Sequence, residues 1–404
     1  MGFIGANMFK TLLSLPRNIW LLGFISLCND SASEMLYPLI PLYLSSVLMA
    51  GPRALGLIEG IAEATSSLLK LFSGIIMDRT RRAKPWIIFG YTLAGFGRPL
   101  IAFAASWGWV LCIRFADRLG KGLRTSPRDA LLASCVAPEQ RGLSFGLHRA
   151  MDNAGAVIGP LAAFALLAWG MPLRNIFLWA AFPAVLCLCL ALGIRDAEPA
   201  KPRRVQPGFN WRLGDMPLVF KRYLVVVAIF TLGNSSNMFL LLRAGELGVP
   251  TTRIPLLWAV VSTIAMLCSV PLSALSDKLG RIPVLLGGYI LYGLLYFGMI
   301  GIGDNIVALF GLFACYGIFM GATEGVEKAL VADMVPEEQR GSAFGWFNLV
   351  AGIALLPASI VFGLLYQSIS PGCAFLFSGG CSLLAAVLLS FFVVRVDVKM
   401  SQKH

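Results

Sequence analysis

The chain runs to 404 residues, 57% of them hydrophobic and only 13% charged, with a mean hydropathy of +0.77. Soluble domains carry about 25% charged residues, so this composition excludes a soluble globular protein and points to the membrane class. The net charge of +12 raises nucleic acid as a partner, which the placement of the charges then excludes.

Apolar runs of about 20 residues, each long enough to cross a bilayer as a helix, recur from end to end. They predict twelve spans, near 18–44, 54–77, 85–106, 108–132, 142–168, 173–194, 222–243, 253–275, 282–302, 305–332, 341–366 and 371–394. The runs are continuous rather than alternating and far exceed barrel-strand length, which excludes a membrane β-barrel. With the N-terminus inside, 20 Lys and Arg fall on the cytoplasmic side and 4 (Arg53, Arg174, Arg243, Arg253) on the outer side. That asymmetry places both termini in the cytoplasm of a bacterial-type inner membrane and explains the basic charge by topology. The first apolar run is too long for a cleavable signal. Nine cysteines without a metal-ligand or disulfide spacing read as packing residues.

The chain is also written twice. Arg141-Gly142-Leu-Ser-Phe-Gly146 returns as Arg340-Gly341-Ser-Ala-Phe-Gly345, and Asp78 and Arg82 return as Asp277 and Arg281, always at a shift of 199. Two homologous halves in so apolar a chain are the layout of a parallel-repeat transporter. The expected fold is all-α, twelve transmembrane helices in two pseudo-symmetric six-helix bundles: residues 1–194, a Pro-rich basic cytoplasmic linker at 195–221, and residues 222–404. No Gly-x-x-x-x-Gly-Lys-Ser/Thr sequence is present, which argues against ATP as the energy source.

In chain order, the first span carries Asn29, Asp30 and Glu34. The two carboxylates share a helix face and are either proton carriers, with Glu34 favoured as the deeper, or standing partners of Arg114 or Arg118. Asn29 is a candidate substrate contact. In the second span, Glu59 and Glu63 form a possible outer-vestibule cation attractor. The loop after it reads Gly74-Ile-Ile-Met-Asp78-Arg79-Thr-Arg-Arg82. The fourth span bears a polar stripe of Arg114, Asp117, Arg118, Lys121, Thr125, Arg128 and Asp129 at helical spacing. It faces either an anionic ligand or its own ladder partners. His148, Arg149 and Asp152 open the fifth span, ahead of Gly155-Ala-Val-Ile-Gly159-Pro160. Asn234 and Asn237 occupy a place in the seventh span similar to that of Asn29, and Glu324 in the tenth joins them as a cavity candidate.

A charge at mid-membrane costs about 2.5–3.5 kcal/mol on insertion scales. Nine Lys and Arg carry that cost, and eight of them (Lys70, Arg98, Arg114, Arg118, Lys121, Arg124, Arg128, Arg149) lie in the first half, with Lys328 alone in the second. The first half is therefore expected to do the coupling. At the repeat shift, Arg128-Asp129 corresponds to Glu327-Lys328 with the signs inverted. Either these residues pair across the bundles as a cytoplasmic gate, or each pairs within its own bundle.

The stretch from Gly74 to Arg82 resembles the loop motif of the major facilitator superfamily, Gly-x-x-x-Asp-Arg-x-Gly-Arg, with Arg81 in place of the second Gly. Ser273 to Arg281 is a weaker copy. Arg114-Phe-Ala-Asp117-Arg118-Leu-Gly120 resembles the family's Arg-x-x-Gln-Gly-x-Gly motif, with Asp117 and Arg118 substituted, which implies a part in proton coupling for Arg114. The Gly155 to Pro160 stretch is similar to the helix-bending signature of the drug–proton antiporter subgroup, with Ala162-Ala163 where a Gly pair is usual. Pro38-Leu-Ile-Pro41 is similar to an element of twelve-helix exporters.

The resemblance implies alternating access by bundle rocking and proton-coupled export of a small solute, the partners being substrate, protons and bilayer. The alternative is proton-coupled import of a metabolite or a siderophore-like metal chelate. A non-transporting receptor or scaffold is a remote third reading, which intramembrane charges oppose. No nucleophile–base pair or metal cluster emerges, so no enzyme activity, cofactor or resident metal is expected, and the chain is expected to be monomeric.

Overall fold

A computed structural model describes residues 15–80, 82–137, 140–195, 212–303, 305–336 and 339–394. Among the described residues all regular structure is helical. Arg17–Leu36 and Ile40–Ser46 form the first span, Pro52–Thr80 the second, and Lys84–Gly97 with the 3-10 turn Arg98–Phe103 the third. Trp107–Ser134, Arg141–Ala168 and the pair Leu173–Trp179 and Ala181–Leu192 complete the first six. Leu218–Gly233 with Met238–Glu246 begins the second six, followed by Ile254–Leu279, Arg281–Gly301, Ile306–Asp333, Arg340–Ser368 and Pro371–Leu389. The seventh span starts four residues earlier than the hydropathy pattern indicates, at the helix-starting Pro217. Lys221 stays inside it by reaching back to the Gly214 carbonyl, 3.1 Å away. The linker lies largely at 196–211, outside the described residues.

The repeat extends to the helix breaks. The first span breaks at 37–39, where Pro38 has no N–H to give, and the seventh breaks at 234–237, one repeat later. Among the described residues, nine of the twelve spans are apolar enough to cross a membrane by length and composition. The three that fall short are the first, second and fourth. Those three carry most of the intramembrane charges, so the departures from apolarity mark where chemistry is held.

Within the first half, the first span packs on the fifth and the second on the fourth. Gly155 and Gly159 serve that packing. A Cβ at Gly155 would lie 2.5 Å from the Leu27 carbonyl oxygen and one at Gly159 2.6 Å from that of Ser31. The fifth helix is continuous through Pro160, and the two glycines are where the first span's backbone comes closest.

The two bundles meet most closely between the second and eleventh spans, at the end away from residues 15 and 394. There Arg53 donates through its backbone N–H to Gln367 (3.1 Å) and through its guanidinium to the Ser368 hydroxyl (2.5 Å). A Cβ on Gly363 would sit 2.7 Å from the Pro52 carbonyl oxygen. Gly363→Leu is expected to hold this face apart. Spin labels at the exposed Met49 and Ile369, in a background free of native cysteine, would then report a longer distance than in the parent chain.

Candidate functional site

At the other end the bundles diverge around a cavity of about 820 Å³. Its wall from the first half includes Asn29, Asp30, Lys70, Lys121, Arg128 and Arg149, and that from the second includes Ser273, Glu324 and Lys328. A polar wall of this kind cannot face lipid, so the charged helix faces turn inward.

Between the cavity and the closed face lies a buried ionic cluster. Arg98 binds the Asp117 carboxylate through Nη2 (2.9 Å) and Nε (3.0 Å). Arg114 binds Glu59 at 2.7 Å and stands 3.7 Å from Asp117, its i+3 neighbour. Arg118 binds Glu63 at 2.8 Å and lies 4.0 Å from Asp117. Three guanidinium groups thus meet three carboxylates, a balanced set in which Asp117, 2% exposed, touches all three cations. Such pairing offsets the desolvation of each ion.

The cluster reaches the opposite bundle through Glu59, and Glu34 beside it makes a second link. Ser236 donates to Glu59 (3.2 Å), and the Trp258 indole donates to Glu34 (2.7 Å) while its ring packs 4.9 Å from Tyr37. It also reaches the cavity. Arg98 donates to the Asn29 carbonyl (2.9 Å) and to its side-chain oxygen (3.1 Å), and the Asn29 amide donates to Asp30 (2.8 Å).

Neither Asp30 nor Glu34 pairs with Arg114 or Arg118. Asp30 lines the cavity, whereas Glu34 is held by Trp258 away from its wall. Asp30 and Asp152 both line the cavity on the packed first and fifth spans, where a Cβ at Gly155, about one turn past Asp152, would lie 3.1 Å from that of Asp30. Asp152 accepts from Ser26 (2.6 Å) and stands 3.8 Å from Arg149. Arg149 crosses the cavity to Glu324 (2.5 Å), which in turn faces Lys328 (3.8 Å). Asp152, Arg149, Glu324 and Lys328 therefore form a chain of contacts from one bundle to the other.

The remaining sequence candidates are scattered. Lys121 lines the cavity, but Arg118, Asn234 and Asn237 do not. Asn237 accepts from Tyr316 (2.5 Å), and Asn234 closes the helix Leu218–Gly233 with its backbone N–H. Glu59 and Glu63 are ion-pair partners rather than an open cation attractor. Arg128 pairs with its neighbour Asp129 (2.9 Å), and Glu327 accepts from Tyr289 (2.9 Å), so the inverted charges pair within their own bundles in this conformation. Arg281 holds Asp277, Asp333 (3.2 Å) and Ser276 (2.8 Å), joining the ends of three helices. Arg82 is exposed. The side chains of Asp78 and Arg79 lie outside the described residues.

Arg98, Asp152 and Trp258 were not singled out as site residues by the sequence. The charge count on the first-half spans signals the first two, and nothing signals the third. The second half replaces ions by aromatics at its interior: Phe230 stacks on Tyr289 at 3.9 Å and Tyr292 on Tyr296 at 4.1 Å. No group of residues suited to a metal is found among the described residues.

Known proteins resemble the chain over most of its length. The profile of the Major Facilitator Superfamily matches residues 20–242 and 223–404. An uncharacterized MFS-type transporter of Methanocaldococcus jannaschii is 34% identical over 390 residues, covering 93% of this chain and 95% of the relative. Multidrug resistance protein MdtH of Salmonella arizonae is 26% identical over 353 residues, covering 86% and 83%. Among solved structures, a POT peptide transporter with bound sulfate superposes with a TM-score of 0.78 at 13% identity, covering 96% of this chain and 98% of that one. The nucleoside transporter NupG does so with a TM-score of 0.72 at 14% identity, covering 93% and 99%. Twelve spans in two repeated bundles around a polar cavity, matched by that profile in both halves, make this chain a multi-pass membrane transporter, not an enzyme, of the Major Facilitator Superfamily.

Proposed function

We propose that the protein is a proton-coupled secondary transporter of a small solute, with Asp30 and Asp152 as its proton site. The observation that carries this reading is the placement of these two carboxyl groups together on the cavity wall, on the packed first and fifth spans. Two carboxyl groups attract only when a proton lies between them. Losing that proton leaves two negative charges beside Arg149, which then has reason to turn from Glu324 toward Asp152. The proton state thereby sets the strength of the Arg149–Glu324 link between the bundles, the kind of two-state element that alternating access requires.

The positive-inside asymmetry puts residues 15 and 394 on the cytoplasmic face of a bacterial inner membrane, so the conformation is inward-open. One chain encloses the whole cavity, and the working unit is a monomer. Export against protons is the direction supported by the Gly155 to Pro160 signature and by the likeness to MdtH. Uptake of a metabolite with protons is the second reading, favoured by Lys70 and Lys121 in the cavity wall. Proteoliposomes with a pH-sensitive dye decide the matter. Solute-dependent proton movement is expected, its sign relative to solute flux separates the two directions, and its absence would remove proton coupling.

On closure of the cytoplasmic face, Arg128 meets Glu327 and Asp129 meets Lys328, Glu327 leaving Tyr289 to do so. Arg128→Glu is expected to abolish transport, and Glu327→Arg in the same chain to restore part of it. Absence of rescue in a flux assay would sink the pairing.

A further inference from the structure

The cavity's cations are not all accounted for by its anions. Arg128 is held by Asp129 at 2.9 Å, and Arg149 by Glu324 at 2.5 Å. Arg124 donates to the Gly90 carbonyl (3.2 Å) and lies 4.4 Å from the Tyr91 ring centre. Lys328 has Glu324 at 3.8 Å. Lys70 and Lys121 stand apart: both line the cavity, on the neighbouring second and fourth spans, and neither forms an ion pair with a described residue. The acidic residue two turns before Lys70 on the same helix face, Glu63, is taken by Arg118 at 2.8 Å. Lys121 and Lys328 are each close enough to Lys70 to repel it.

We propose that Lys70 and Lys121 form an anion-binding site in the transport cavity, one that takes the carboxylate or phosphate group of a small solute, with Lys328 of the opposite bundle as its third cation. Like charges gathered at membrane depth with no described carboxylate in direct ion-pair contact are stabilised by an anion set among them, and ammonium groups on flexible stems suit such a point charge. The third lysine gives the site a role in movement. An anion held by the first half draws Lys328 and the tenth span inward, which relieves the repulsion that the empty cavity maintains.

This site rests on the reading of the cavity as a solute path, and not on proton coupling or on direction. Its test is binding without transport. The purified full-length protein in detergent is heated with inorganic phosphate, succinate or phenyl phosphate, and with tetraphenylphosphonium as a cationic control, all at constant ionic strength. The anions are expected to raise Tm saturably and the cation to leave it unchanged. Lys70→Gln/Lys121→Gln should lose the anion shift while its unliganded Tm is equal or higher, because a repulsion has been removed. Lys70→Arg/Lys121→Arg should keep the shift. If the double Gln variant does not fold, Lys70→Gln alone should bind at least about tenfold more weakly, the loss of roughly one charge-assisted contact. A wild type unmoved by every anion, a shift that survives in the Gln variants, or a saturable shift with tetraphenylphosphonium would each overturn the site. Proton flux is measured separately, so this proposal and the coupling proposal fail independently.

Discussion

Asp30→Asn is expected to abolish solute-dependent proton movement in proteoliposomes while leaving solute exchange between two equal pools intact. Asparagine preserves the shape of the side chain and can still accept from the Asn29 amide, which donates to Asp30 at 2.8 Å. It can also donate to Asp152, so the local packing survives. The variant loses only the exchangeable proton. An exchanger that cycles with substrate on both sides needs no net proton step, whereas net transport driven by a gradient does. Glu34→Gln makes the informative comparison. Glu34 is tied to Trp258 across the bundles at 2.7 Å and does not line the cavity, so its loss should slow the cycle but leave proton movement coupled to solute. Full coupling in Asp30→Asn, or uncoupling in Glu34→Gln alone, would move the proton site from Asp30 to Glu34.

The second large effect is on stability. Asp117→Ala should destabilise the protein by about 3–5 kcal/mol, the usual loss when one partner is removed from a buried ion pair. The residue is 2% exposed, and its carboxylate lies 2.9 Å from Arg98, 3.7 Å from Arg114 and 4.0 Å from Arg118. Without it the cluster holds three cations against two anions, and Arg98 has no carboxylate partner. Asp117→Asn keeps the volume but not the charge, so it should be nearly as damaging. A paired Arg98→Met/Asp117→Leu variant restores charge balance with similar bulk and should recover most of the loss. Thermal unfolding of the three variants in detergent checks this. A Tm for Asp117→Ala equal to that of the parent would show that the cluster does not hold the first half together.

Asp117 also shows what was legible beforehand. The fourth-span stripe was visible as charges at helical spacing, and its burial followed from the cost of facing lipid. The candidate i+3 pairing of Arg114 with Asp117 is present at 3.7 Å, but it is the shortest contact of neither. Arg114's shortest bond goes to Glu59, 55 residues away, and Asp117's to Arg98, 19 residues away. Spacing along one helix ranks near neighbours, whereas the strong contacts depend on how neighbouring helices are turned about their axes. The same limit hid Asp152 as a partner of Asp30, 122 residues apart on two spans brought together by Gly155 and Gly159.

By itself the amino-acid sequence determined the membrane class, twelve spans, the repeat of 199 residues and the concentration of charge in the first half. Each of these is a property of local hydropathy or of self-comparison and needs no three-dimensional information. Only the tertiary structure decided which carboxylate answers which cation. The candidates are chemically equivalent along the chain, and an ion pair forms only where two helix faces meet within a few ångströms. That choice left Asp30 beside Asp152, closed Glu34 onto Trp258, and left Lys70 and Lys121 facing the cavity with no ion pair to a described residue.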